Sequence, residues 1–227
     1  MTRQAKWNKG GNMHNNLNSN FLEGAVDELE RMALEEAIKR RCFDTQTTAL
    51  VLPGRCHLTL ELARKGVRVD ASDIGEWDDA AAERCFSDAP CNRIHFSPIS
   101  LRPTPEKLAH EPYDVIVCRH GLCEIPYAEA KQVVRQLIRR LKIGGRLYLS
   151  MLGLHSELGY HYAAIDALAA ERFSELSPEI ADKYGIRGPV CLYTERDLFC
   201  LVLETGGSVL RTFTTTHGNV KGVAVRV

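Results

Sequence analysis

The chain has 227 residues, of which 44% are hydrophobic and 26% charged, a balance that suits one compact domain with a full core. Basic and acidic side chains each number 29, so no overall field draws the protein to nucleic acid or to an anionic membrane. The first 20 residues lack the apolar core of a signal peptide, and no apolar run approaches the ~20 residues of a membrane span. These features predict a soluble, cytoplasmic protein.

The eight cysteines do not form any CxxC pair. Most of them lie in apolar stretches such as VIVCRH and DLFCLVL, where a thiol behaves as a small core residue. The spacing of zinc ligands is absent, so we expect no metal site.

The chain begins with an Asn- and Gly-rich stretch that lacks periodicity, and we expect residues 1–20 to form a flexible arm. Asn20 and Glu23 then have the spacing of a capping box, which predicts a helix that closes with the basic run 39–41. No linker or internal repeat follows, so residues 21–227 are predicted to be a single domain.

Strand and helix patterns alternate through this domain. The predicted strands are ALVL, VRVDAS, RIHFSPI, YDVIVCR and RLYLSML, and the C-terminal SVLRTFTTT and GVAVRV form a hairpin. This order predicts an α/β, Rossmann-like, doubly wound sheet of seven strands that is mostly parallel and ends in an antiparallel hairpin. Ligands bind such sheets at the carboxyl ends of the strands, where the loop at Gly54 lies.

Three motifs carry a resemblance to a known family. They are GVRVDASD at the second strand, YDVIVCRHGLCEIP at the fourth, and LIRRLKIGGRLYLS before the fifth. Together with the hairpin, and in this order, they resemble a class I S-adenosylmethionine-dependent methyltransferase over roughly residues 49 to 227. The resemblance implies S-adenosylmethionine as the cofactor and a small-molecule substrate, with no nucleic-acid or membrane partner.

The resemblance also implies a set of cofactor contacts at the carboxyl ends of the strands. Asp73 lies 19 residues after Gly54, close to the ~20 expected for an acid that binds ribose hydroxyls. The alternative for Asp73 is an N-cap of the next helix. The residues expected to contact the cofactor are Leu52, Pro53, Gly54, Arg55, Cys56, Asp73, Ile74, Ser100, Arg119, His120 and Gly121.

Two positions depart from the family pattern. The three glycines of the first loop fall on Leu52, Gly54 and Cys56, so only the middle one is kept. The helix N-terminus and a bidentate Arg55 can replace the missing backbone contacts to the cofactor carboxylate. Ser100 stands near where the family often has an acid that reads the adenine.

The acceptor side is less defined by sequence. Residues 155–190 are expected to be an insertion on the substrate side, and its first part, SELGYHYAAIDALAAERF, is predicted to be helical. Methyl transfer to an ionised or soft acceptor needs positioning and no base. For a hydroxyl or protonated amine, His120, His155, His161 and Glu124 are the candidate catalytic bases by position.

Three functions fit these features. The first is methyl transfer to a small molecule. The second is a catalytically silent methyltransferase-fold protein that binds a cofactor or metabolite and acts through partners. The third, a nicotinamide-dependent dehydrogenase, is weakened by the lost glycines and the antiparallel hairpin. The acceptor and the oligomeric state stay open.

Overall fold

The computed structural model describes residues 27–54, 56–72, 92–96 and 112–227. The predicted arm 1–20 and the predicted cap at Asn20 and Glu23 lie outside these ranges. Four of the expected cofactor contacts also lie outside them, namely Arg55, Asp73, Ile74 and Ser100.

The sheet has the predicted class. Seven strands run in the order β3-β2-β1-β4-β5-β7-β6, with β7 antiparallel to both of its neighbours and the other described pairs parallel. Their bounds are β1 Thr48–Leu52, β2 Arg68–Ala71, β3 Ile94–Phe96, β4 Tyr113–Arg119, β5 Leu141–Met151, β6 Ser208–Thr214 and β7 Val220–Val225. The order places β1 and β4 side by side at the centre, where the winding of the sheet reverses.

The five principal described helices have the bounds α1 Glu28–Arg41, α2 His57–Arg64, α3 Tyr127–Arg139, α4 Pro178–Tyr184 and α5 Glu195–Glu204. Helix α1 begins later than the sequence predicts, because Asp27 is extended and its side chain accepts the amide of Leu29 over 2.8 Å. Helix α5 has a full capping box between Thr194 and Asp197. Among the helices in the described ranges, none is long and apolar enough to cross a membrane.

The central strands are covered on both faces, as their continuous apolar runs predict. Leu50 and Leu52 of β1 point into one core cluster, together with α3 and α5. Ala49 and Val51 point into a second cluster on the opposite face, with α1 and α2. This alternation along β1 is the period of two that a strand imposes.

The prediction of a helix over residues 156–173 is wrong. The segment contains only two short 3₁₀ turns, Glu157–Gly159 and Ala169–Glu171. The reason is that Tyr162 and Arg172 are drawn inward: the Tyr162 hydroxyl donates to the Val190 carbonyl over 2.6 Å, and the Arg172 guanidinium donates to the carbonyls of Ala167 and Leu192. These contacts to backbone oxygens replace a regular helical ladder.

Candidate functional site

The loop after β1 is fixed against the end of β2. The Gly54 amide donates to the Ser72 carbonyl over 2.8 Å, and Thr59 of α2 donates its hydroxyl to the Gly54 carbonyl over 2.6 Å. A Cβ on Gly54 would lie 2.6 Å from Ala71 Cβ and from the Ser72 nitrogen, closer than atoms can pack. Gly54 is therefore required by the fold, and it brings the loop next to the residue that precedes Asp73.

The other two loop positions differ from each other in the structure. Leu52 is fully buried, and its side chain belongs to the core cluster below the sheet edge rather than to the loop surface. Cys56 is half-buried at the N-cap of α2, with its Sγ 3.6 Å from Thr59 Oγ1. Burial raises the pKa of the Cys56 thiol, so this side chain stays a neutral thiol. Pro53 between them is exposed.

Two ion pairs connect α1 to the carboxyl edge of the sheet. Arg119, the last residue of β4, pairs with Glu30, and Lys221 of β7 donates to Asp27 Oδ1 over 2.5 Å. Lys221 is 1% exposed and Asp27 is 8% exposed, so their pair is shielded from solvent. Burial would raise the pKa of Asp27, but the hydrogen bond and the charge of Lys221 outweigh it and lower that pKa.

The ion pair between Arg119 and Glu30 is less completely hydrogen-bonded than the pair between Asp27 and Lys221. Burial raises the pKa of Glu30 despite the positive charge of Arg119 beside it. The Arg119 Nε is buried and has no hydrogen-bond partner among the described residues. This guanidinium thus retains one donor at the carboxyl end of β4, next to His120 and Gly121.

His120 is buried and held by β5. Its backbone is left-handed, with φ 55°, its amide donates to the Ser150 carbonyl, and its Nε2 lies 3.0 Å from Ser150 Oγ. Burial, and then the charge of Arg119, lowers the pKa of His120 to about 3. The imidazole is therefore neutral at ordinary pH, and Gly121 follows it as the first residue of a 3₁₀ turn, Gly121–Glu124.

The other two predicted bases lie further along the chain. His155 and His161 are both exposed, and the His161 ring lies 4.1 Å from the ring of Tyr160, centroid to centroid. Tyr162, in contrast, is buried, and its hydroxyl is hydrogen-bonded to backbone carbonyls. The structure thus brings together Leu52, Gly54 and Cys56 at one loop and Arg119, His120 and Gly121 at another, while His155 and His161 lie at exposed positions after β5.

Sequence reasoning missed the polar and charged side chains around the loop after β4, which contains Arg119, His120 and Gly121. Asp27, Glu30, Ser150 and Lys221 come from α1, β5 and β7, and their meeting depends on the antiparallel insertion of β7 beside β5. One signal was present: Lys221 is the only charged residue inside the otherwise apolar strand Val220–Val225.

The described residues suit a cofactor that carries a carboxylate. The first amides of α2 have no carbonyl partner within their helix, and they lie directly after the Gly54 loop. Arg119 adds a buried guanidinium donor at the neighbouring strand end. Because Leu52 turns into the core, its side chain does not cover the loop.

Comparison with protein families finds one matching model, described as a methyltransferase domain, over residues 51–149. This range begins in β1 and ends in β5, so it contains both loops described above. No curated protein matches the chain.

Many solved structures share the fold. A SAM-dependent methyltransferase from Methanosarcina mazei is 21% identical with a TM-score of 0.61, covering 84% of this chain and 97% of its own. An O-methyltransferase family protein from Burkholderia thailandensis is 15% identical with a TM-score of 0.62, covering 87% of this chain but 55% of its own, so the present chain spans about half of that protein. At such identities the likeness shows the fold alone.

A third structure contains small molecules. It is the 1,6-didemethyltoxoflavin-N1-methyltransferase of Burkholderia thailandensis with bound 1,6-didemethyltoxoflavin and S-adenosylhomocysteine, 13% identical with a TM-score of 0.57. The match covers 88% of this chain and 79% of that one.

Proposed function

We propose that this chain is a class I S-adenosylmethionine-dependent methyltransferase that binds S-adenosylmethionine and transfers its methyl group to a small-molecule acceptor, a proposal supported by the methyltransferase-domain match over residues 51–149 and by the strand order. One observation carries the proposal. The Gly54 loop is bonded to the end of β2 at the carboxyl edge of a sheet with the order β3-β2-β1-β4-β5-β7-β6. In open α/β sheets this edge is where ligands bind.

The chain offers a partner for each polar part of the cofactor. We assign the carboxylate to the N-terminus of α2, with Arg55 and the free Nε of Arg119 as further donors. Asp73 is assigned to the ribose hydroxyls, and Ile74 and Ser100 to the adenine. Glu30, held beside Arg119, is the acid available to the amino group.

The acceptor chemistry that we propose depends on which of the three candidate histidines are buried and which are exposed. The cofactor supplies a methyl group already activated on a sulfonium, so an acceptor that is ionised or soft needs to be positioned and shielded from water, without a base. His120 serves here as a neutral side chain that fixes Ser150 and the end of β5. For a hydroxyl acceptor, His155 and His161 are the exposed candidates for the base.

Calorimetry with S-adenosylmethionine and S-adenosylhomocysteine tests the proposal. We expect both to bind, and Asp73→Asn to weaken each by about 10-fold, because a charge-assisted hydrogen bond is lost. Asp166→Asn, which changes an exposed acid between the two short 3₁₀ turns, is the matched control and should bind like the parent. Transfer of a labelled methyl group to a panel of phenols and nitrogen heterocycles then tests catalysis.

A silent binding protein is the second candidate, and one observation favours it. Arg119, the cation at the carboxyl end of β4, is already paired with Glu30. If neither cofactor form binds, the enzyme proposal fails and the silent protein replaces it. If both bind but no acceptor of the panel is labelled, the cofactor assignment stands and the acceptor class is wrong.

A further inference from the structure

Two grooves lie beyond the carboxyl end of β5, and neither is lined by a residue of the two loops of the proposed cofactor site. The first, here called the polar groove, encloses about 730 Å³ between residues 155–157, the end of α4 and the β6–β7 turn 214–218. The second, here called the apolar groove, encloses about 540 Å³ and includes Leu154, Tyr160, Ile165 and Ile180. The segment His155, Ser156 and Glu157 lines both grooves and separates them.

The separating segment is held rigidly by backbone packing. A Cβ on Gly153 would lie 1.7 Å from the Gly218 carbonyl oxygen, and one on Gly218 would lie 2.5 Å from Ser156 Cβ. The Ser156 hydroxyl donates to the Gly153 carbonyl over 2.7 Å. The strand end and the hairpin turn are thus in direct contact, so both grooves are formed before any ligand arrives.

The polar groove is lined by donors. Its one carboxylate, Glu157, is already bonded to Lys183 and to the Tyr184 hydroxyl, the latter over 2.5 Å. The hydroxyls of Ser156 and Thr214 also line the groove, but they already donate to Gly153 and Glu195. The imidazoles of His155 and His217 and the hydroxyls of the other threonines in the β6–β7 turn can each donate a hydrogen bond to an oxyanion.

The apolar groove exposes large side chains to solvent. Tyr160 is 59% exposed and Ile165 is 43% exposed, and both line the groove beside the buried Leu154. The Tyr160 ring is supported from one side by His161, whose ring centroid is 4.1 Å away. A supported aromatic face next to exposed aliphatic carbon favours a flat apolar ligand.

We propose that the two grooves together form one binding site for an aromatic acid, with the ring over Tyr160 and Ile165 and the oxyanion at His155 and His217. The two grooves share the lining residues His155, Ser156 and Glu157, so one amphipathic molecule can contact both of them. Naming this ligand as the methyl acceptor rests on the function proposed above, whereas the site itself does not.

The test compares two probes, 8-anilinonaphthalene-1-sulfonate and the uncharged N-phenyl-1-naphthylamine, by fluorescence titration of the full chain. We expect one sulfonate probe per chain. Ile165→Ser should weaken both probes about 10-fold, because each loses apolar contact. His217→Ala should weaken only the sulfonate probe, by about fivefold, because one donor to the anion is removed.

Leu203→Ser is the matched control, since Leu203 is 50% exposed on α5 and lies at the far end of β6 from the turn. It should bind both probes like the parent, and thermal melting confirms that each variant is folded. Unchanged binding by Ile165→Ser, or equal loss of both probes in His217→Ala, overturns the proposal. Displacement of the probe by S-adenosylhomocysteine also overturns it, because the probe then occupies the cofactor site. Probe binding at the grooves without any binding of S-adenosylhomocysteine keeps this site and rejects the methyltransferase activity.

Discussion

The amide of Gly54 is bonded to the carbonyl of Ser72 over 2.8 Å, so the loop after β1 and the end of β2 form one unit. Only a residue without a Cβ fits there, because Ala71 and Ser72 occupy the space that a side chain would need. The glycine kept from the family pattern is therefore the one that the protein's own packing requires. The two replaced positions meet no such restriction from β2.

Gly54→Ala tests this relationship. We expect the free energy of unfolding to fall by about 1–3 kcal/mol from overpacking, and binding of S-adenosylhomocysteine to weaken, because the loop must move away from β2. Urea unfolding and calorimetry measure the two effects. Gly144→Ala is the control: nothing lies within 4 Å of the added Cβ, but its φ of 76° costs about 1 kcal/mol. Equal cofactor affinity in the two variants would contradict the prediction.

Restoring the family glycines should separate Leu52 from Cys56. Leu52→Gly is expected to lose about 3 kcal/mol or more of stability, because a fully buried core side chain disappears and a flexible residue replaces it. Cys56→Gly should change stability by less than about 1 kcal/mol, since glycine is accepted at an N-cap. It should also tighten binding of S-adenosylhomocysteine, because backbone amides of the loop can come closer to the ligand. Weaker binding by Cys56→Gly would show that the thiol contributes to the site.

The buried pair of Asp27 and Lys221 should show strong coupling. Asp27→Asn keeps the cap of α1 but leaves the Lys221 charge without its carboxylate, and we expect a loss of about 3–5 kcal/mol. The double variant Asp27→Asn with Lys221→Met should recover much of this loss, because no charge is then buried. Denaturant unfolding of the parent, the two single variants and the double variant gives the coupling energy. Additive losses would mean that the two groups act independently.

The stability of the protein should depend on His120 below pH 6.5. Burial lowers the pKa of His120 in the folded protein to about 3, while the unfolded chain takes up its proton near 6.5. The unfolded state therefore binds more protons between these values, and stability falls with decreasing pH by at most about 1.4 kcal/mol per unit. Above pH 6.5 His120 is neutral in both the folded and the unfolded state, so its burial no longer lowers the stability with pH.

His120→Asn removes the titrating group at a left-handed position that asparagine tolerates. We expect its unfolding free energy to be flatter than the parent's between pH 6.5 and 5, a range above the ordinary pKa values of the carboxyl groups. Leu203→Ser changes an exposed side chain that does not titrate and should keep the parent's slope. Parallel curves for the parent and His120→Asn would exclude a buried neutral imidazole.

Much of the fold follows from sequence because its signals are local. The apolar runs of β1 and β4 each depend on a few neighbouring residues, and the sheet class follows from the alternation of such runs with helical patterns. The segment around Tyr162 was predicted incorrectly for the opposite reason. Its conformation depends on hydrogen bonds to Val190, far along the chain, which no local period reveals.

The residues of the candidate site also fall into those that the sequence reveals and those that only the folded structure reveals. The glycine at position 54 and the charged end of β4 at Arg119 can be found from motif and strand order. The partners Glu30 and Lys221 could not be found, because a helix near the start and a strand near the end meet only in three dimensions. The direction of Leu52 is also tertiary information, since a strand end can face either the core or the loop.

The Asp27–Lys221 pair also has a consequence for synthesis of the chain. Its two members are separated by 194 residues, so the cap of α1 emerges from the ribosome long before its cation exists. Until β7 is made, Asp27 lacks its lysine partner, and the docking of α1 on the sheet stays incomplete. The last strand therefore completes the first helix, and a nascent chain that stops before residue 220 ends without it.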